Sequence, residues 1–137
     1  MSYDILHTST GILRYSGNNR LAMEVDQGLS DFYRSLIPRY MPNNRPRWAA
    51  HVTVVRDGKE EPVHREFWGK YEGEEVSFLY SPYIHADNVY YWLNVFCVRL
   101  EEIRIELGLP CTNLQSDLPP LFRKCFHMTL GNRKQLS

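Results

Sequence analysis

Two short segments repeat one arrangement of chemistry-bearing side chains: His51-Val52-Thr53-Val54 and His127-Met128-Thr129-Leu130. Each reads His-x-Thr-x with apolar residues at x, in a stretch with the composition of a β-strand. Side chains alternate faces along a strand, so His51 and Thr53 share one face while Val52 and Val54 point the other way. The same holds for His127 and Thr129 against Met128 and Leu130. A single such strand is more often a half-buried polar face than a site. Two of them point to a paired site, with two imidazoles and two hydroxyls on a common cleft.

Histidine titrates near neutrality, so two imidazoles in one cleft can hold one proton between them. The neutral ring takes a proton from an attacking hydroxyl while the protonated one gives a proton to a leaving oxygen. Threonine hydroxyls on the same face would donate to non-bridging phosphate oxygens and stabilise charge developing there. This set suits in-line displacement at phosphorus, with His51, Thr53, His127 and Thr129 as the candidate catalytic residues. A metal site is the weaker reading, because neither motif brings a nearby carboxylate or a second His of the HxH or HExxH kind. His85-Ala86-Asp87 has such a carboxylate but reads as part of a hairpin turn. No metal and no cofactor are therefore expected. Cys125 shares a strand face with His127 and Thr129, yet a small buried apolar role is the commoner one for cysteine.

The elements that must position these residues follow from periodicity. Tyr3 to Leu6 and Ile12 to Tyr15 read as short strands broken at Thr8-Ser9-Thr10-Gly11, and Ser16-Gly17-Asn18-Asn19 as a turn or loop. From about Glu24 the period becomes helical, with Val25, Leu29, Phe32 and Leu36 on one stripe, closed by Pro38 and Pro42. Trp48 to Arg56 is the first motif strand. Pro62 to Tyr71 is a charged region read as a short helix or an extended loop. Val76 to Ile84 and Val89 to Val95 read as strands joined by the turn Ala86-Asp87-Asn88, with Val89, Tyr91, Leu93 and Val95 on one face and Tyr90, Trp92 and Asn94 on the other. A second helix carries Phe96, Leu100, Ile103 and Leu107 and stops at Gly108 and Pro110. A polar, proline-containing loop, Thr112 to Pro120, leads to the second motif strand, Cys125 to Leu130. A helix, a proline loop and a His-x-Thr strand thus occur once in each half, which predicts an α+β (mixed α/β) domain of two similar lobes spanning residues 1–137.

The chain has 137 residues, the size of one domain, with 16 basic and 16 acidic side chains. Zero net charge argues against a surface built for long nucleic acid, which needs a broad basic face. Basic residues instead gather beside the motifs: Arg39, Arg45 and Arg47 before the first and Arg56 after it, Arg123 and Lys124 before the second and Arg133 and Lys134 after it. Arg56, Arg123 and Lys124 are the candidate phosphate-binding cations. No stretch is long or apolar enough to cross a membrane, and the N-terminal residues lack the pattern of a signal peptide. Three cysteines without a CxxC pair are expected as reduced thiols in a cytosolic protein.

At its two His-x-Thr-x segments the chain resembles the 2H phosphoesterase superfamily. That resemblance implies a bilobal fold, two antiparallel sheets flanking a central cleft with helices outside, and metal-independent cleavage of cyclic phosphates or phosphodiesters. Gly11-Ile12-Leu13-Arg14-Tyr15-Ser16-Gly17, the helix containing Phe32-Tyr33, and His51-Val52-Thr53-Val54-Val55-Arg56 look most like small bacteriophage proteins of the anti-CBASS cyclic-nucleotide nuclease group. In that group the substrate is a cyclic di- or trinucleotide messenger of bacterial immunity, met in the host cytoplasm. An aromatic near the N-terminus and a C-terminal lid hold the bases there. Tyr15 is the candidate for the aromatic, with Trp48, Tyr90 and Trp92 as further stacking surfaces. The segment after Leu130, Gly131 to Ser137, leaves little length for a lid. Alternative readings are opening of terminal 2′,3′-cyclic phosphates on RNA, and a non-catalytic nucleotide-binding sponge.

Overall fold

Strand structure runs further through the N-terminal region than the expected break at Gly11 allows. In the computed structural model, which describes residues 5–112 and 118–134, strand β1 spans His7–Ser16 without interruption. Thr8 and Thr10 are β-branched and suit a pleated surface. Gly11 is required where β1 crosses β2, because a Cβ there would collide with the Met23 side chain and lie 2.7 Å from the Glu24 carbonyl oxygen. The chain reverses at Gly17, whose φ of +61° suits glycine, into β2, Arg20–Val25. The expected strand from Tyr3 begins outside the described residues, and Ile5 and Leu6 are not in a strand.

The first helix starts later than its periodicity predicts. Glu24 and Val25 belong to β2, and helix α1 covers Gln27–Ser35, with the Asp26 carboxylate accepting from the Gly28 N–H at 3.3 Å. Its buried residues are Ser30 and Tyr33, whereas Phe32 and Leu36 of the expected apolar stripe are exposed. The remaining elements are β3 (His51–Val55), a 3₁₀ turn (Arg65–Phe67), β4 (Glu75–Ala86), β5 (Tyr90–Phe96), α2 (Val98–Glu106) and β6 (Phe126–Asn132). The β4–β5 turn is held by the Asp87 carboxylate, which accepts from the Val89 and Tyr90 N–H groups at 2.7 and 2.6 Å. Leu100 and Ile103 on α2 and Leu107 at its C-cap are fully buried as their spacing predicts, while Phe96 closes β5 instead of opening the helix.

Among the described residues, six strands form one closed antiparallel barrel in the order β1-β2-β3-β6-β5-β4, accompanied by two short α-helices. This corrects the α+β bilobal expectation of two separate sheets around a cleft. Two pairings account for the difference. The unexpected strand β2 links β1 to β3, and β3 joins β6 through Val52↔Met128, fusing the two expected lobes into a single wall. Closure leaves no free sheet edge among the described residues. Leu13, Leu21, Met23, Val52, Leu93, Val95, Met128 and Leu130 are fully buried in the core. Cys97, Cys111 and Cys125 are buried and form no disulfide. Among the described residues, no helix is long and apolar enough to cross a membrane.

Candidate active site

The two His-x-Thr motifs lie on neighbouring strands at the seam where the barrel closes. Val52 and Met128 are cross-strand partners and both are fully buried, so the alternate residues of each motif stand on the outer face. Antiparallel register around that pair sets His51 across from Thr129 and Thr53 across from His127. The imidazoles therefore occupy one diagonal of a four-residue patch and the hydroxyls the other, with diagonal neighbours on the order of 7–8 Å apart between Cα atoms. All four side chains reach solvent. One phosphate group can sit over such a patch with a ring on either side of it.

The two imidazoles are supported differently. His51 Nδ1 lies 2.7 Å from the Ala49 carbonyl oxygen. A carbonyl only accepts, so Nδ1 carries the proton and Nε2 presents a lone pair outward. Burial lowers the His51 pKa, the Ala49 bond opposes that, and Arg20 lowers it further. The neutral ring is thus favoured in the tautomer suited to taking a proton at Nε2.

His127 is set into an aromatic and amide array on β5 and β4. Its ring centroid is 5.2 Å from that of Trp92. The Trp92 indole N–H donates to Asn94 Oδ1 at 3.0 Å, and Asn94 Nδ2 donates to His85 Nε2 at 3.0 Å. His85 in turn stacks on Trp92, with 5.7 Å between ring centroids and 18° between planes. Burial, then the Lys124 ammonium, then His85 lower the His127 pKa. Its imidazolium is therefore a stronger acid than free histidine, a property suited to proton donation.

Helix α2 ties both motif strands in place with two buried charges. Arg104, 3% exposed, donates from Nη1 to the Val54 carbonyl of β3 at 2.7 Å and from Nε to the Pro110 carbonyl at 2.9 Å. It also forms a two-pronged pair with Glu60, at 3.1 and 2.7 Å. Burial pushes the Glu60 carboxyl up, but Arg104 brings it net below its ordinary value. One turn back along the helix, Glu101 is 5% exposed and accepts from the backbone N–H groups of Arg123 and Lys124, at 2.9 and 3.3 Å, just before β6.

Clefts lie on both sides of the patch. One, of about 480 Å³, is lined by Thr53, His127 and Thr129 together with Arg56, Arg104 and Lys124. The other, of about 380 Å³, is lined by His51 with Tyr15, Arg20 and Trp48. The structure thus brings Arg56 and Lys124 to the His127 side and Tyr15 and Trp48 to the His51 side. Arg56 is itself 3.6 Å from Glu60. Tyr15 meets Trp68 edge-on at 4.6 Å between centroids, and its hydroxyl accepts from the Tyr71 N–H at 3.4 Å. Trp92 supports His127 without lining either cleft, and Arg123 is engaged through its backbone N–H.

Three contributors escaped the sequence reading. Turn chemistry at Ala86-Asp87-Asn88 predicts His85 in the hairpin turn, but β4 extends to Ala86 and sets it opposite Trp92. Continuing the β5 alternation across the hairpin would have found it. Arg104 and Glu101 read as the polar side of an amphipathic helix, and nothing in their spacing distinguishes a buried charge from a solvated one. Among the described residues, no three of His, Cys, Asp and Glu cluster as a metal-binding group. Searches of protein-family models, curated proteins and solved structures return no match to this chain, so the arrangement of these side chains carries the functional argument alone.

Proposed function

We propose that the protein is a metal-independent phosphodiesterase of the 2H type that cleaves cyclic oligonucleotide messengers, and so disarms a bacterial immune signal in the host cytoplasm. The carrying observation is the cross-strand patch in which two histidines and two threonines alternate, with the His51 tautomer fixed by Ala49. A ribose 2′-hydroxyl gives its proton to His51 Nε2 as its oxygen bonds to the adjacent phosphorus. The bond from phosphorus to the 5′-oxygen breaks, and His127 delivers a proton to that oxygen. Thr53 and Thr129 donate to the non-bridging oxygens, where charge accumulates. The products are a 5′-hydroxyl and a 2′,3′-cyclic phosphate, which water can then open.

Substrate size follows from charge and space. Zero net charge and two local clefts favour a compact diester over a polynucleotide track. Purified protein should open cyclic di- and trinucleotides in excess chelator, with chromatography separating the linear 2′,3′-cyclic phosphate products. His51→Ala and His127→Ala should each lower turnover by roughly 10²-fold or more. Intact rings after prolonged incubation, or activity that requires added divalent metal, would overturn the proposal.

A further inference from the structure

The two clefts differ in chemistry, and the difference assigns a direction to the substrate. The His51 cleft contains Trp48, a residue 61% exposed. The Arg20 and Arg47 guanidinium carbons lie 5.7 and 5.4 Å from its centroid. An exposed indole flanked by guanidinium groups is a surface on which a nucleobase can stack. Arg14, in the same cleft, is paired with Glu24 and Glu72 at 3.2 and 2.9 Å. Those pairs leave the cleft with less uncompensated positive charge than its arginine content implies. In the opposite cleft Arg104 is committed to Glu60 and to the Val54 and Pro110 carbonyls, which leaves Arg56, at 3.6 Å from Glu60, and Lys124 as the cations that can face a phosphate.

Resting on the phosphodiesterase reading above, we infer that Trp48 is a specificity-determining residue, holding the base of the nucleoside whose 2′-hydroxyl attacks, while the leaving nucleoside and its next phosphate occupy the Arg56–Lys124 cleft. The His51 tautomer supplies the direction. The ring with a bare Nε2 accepts the proton of the attacking hydroxyl, so the ribose bearing that hydroxyl lies on the His51 side, beside Trp48. The leaving 5′-oxygen lies toward His127, which shares its cleft with the phosphate-binding cations. Each 3′–5′ diester thus has one productive orientation across the patch.

A cyclic dinucleotide with one base removed tests this within a single molecule. Its two linkages differ only in whether the base-bearing nucleoside is the attacking or the leaving partner. The wild-type protein should cut the linkage in which the base-bearing nucleoside attacks, by roughly fivefold or more over the other, the effect of one stacked base. Trp48→Ala should abolish the bias and Trp48→Phe should retain it. Arg56→Ala should slow both cuts without changing their ratio. Equal cutting by wild type, the opposite bias, a bias unchanged in Trp48→Ala, or cleavage of the intact ring but of neither linkage in the abasic one would overturn the assignment. Failure to cut the intact cyclic dinucleotide would instead refute the phosphodiesterase reading, and the assignment with it.

Discussion

His51-Val52-Thr53-Val54 and His127-Met128-Thr129-Leu130 are nearly interchangeable as sequence, yet the fold makes two different imidazoles of them. His51 stands near the end of its strand, where the backbone curls so that the Ala49 carbonyl fixes its tautomer. His127 stands inside the β5–β6 ladder, on the regular side of a register shift at Tyr91/Trp92, with Asn94 as its cross-strand partner on β5. A ring held by one main-chain acceptor is committed to a single proton position. A ring packed on an indole beside an ammonium group is committed to an orientation and a field. A repeated motif fixes which atoms are present, and the surrounding elements assign their roles.

The largest expected contrast lies in the anchors. Arg104→Met removes the two-pronged partner of Glu60, leaving it only Arg56, and strips the Val54 carbonyl of its side-chain donor, so it should lower unfolding free energy by about 3 kcal/mol in urea titrations. Glu101→Gln keeps an acceptor oxygen for the Arg123 and Lys124 N–H groups and should cost about 1 kcal/mol. Equal losses would mean that the two strands are not held by separate devices.

Next in size are the hydroxyls. Thr53→Val and Thr129→Val preserve β-branching and should lower turnover by roughly 10–10³-fold with little change in stability. A loss confined to one of them would show that the patch is not symmetric in its hold on phosphate.

The smallest effect sharpens the comparison most. Burial favours the neutral form of both rings, so each should titrate below 6.5 in nuclear magnetic resonance experiments on the free protein. Removing a nearby cation relieves repulsion of the imidazolium, which raises the pKa. Lys124→Met should therefore raise His127 and leave His51 in place, while Arg20→Met should do the reverse. Because burial is the larger cause in both, each shift should be a fraction of the total displacement.

Much of the site was legible because it rests on period-two alternation. The inward positions Val52, Val54, Met128 and Leu130 and the β5 faces follow from that rule alone. β2 was not legible: Leu21-Ala22-Met23 is buried throughout, so it shows no alternation, and Leu, Ala, Met and Glu are good helix formers. Its strand state comes from pairing with β1 and β3, a tertiary effect. Closure of the barrel depends on that strand and on the single pair Val52↔Met128, so the two-lobed expectation followed directly from missing it. The buried charges of α2 are hidden for a similar reason, since the partners of Arg104, Glu60 and Val54, and those of Glu101, the Arg123 and Lys124 N–H groups, lie far away in sequence.

The division of labour between His51 as base and His127 as acid is tested most directly by changing the leaving atom. A cyclic dinucleotide with sulfur in place of the 5′-bridging oxygen expels a thiolate, which needs no proton to leave because thiols are far more acidic than alcohols. With this substrate His127→Ala should recover to within about tenfold of wild type, whereas His51→Ala should stay impaired by roughly 10²-fold or more. Rescue of His51→Ala instead, or of neither variant, would contradict the assignment.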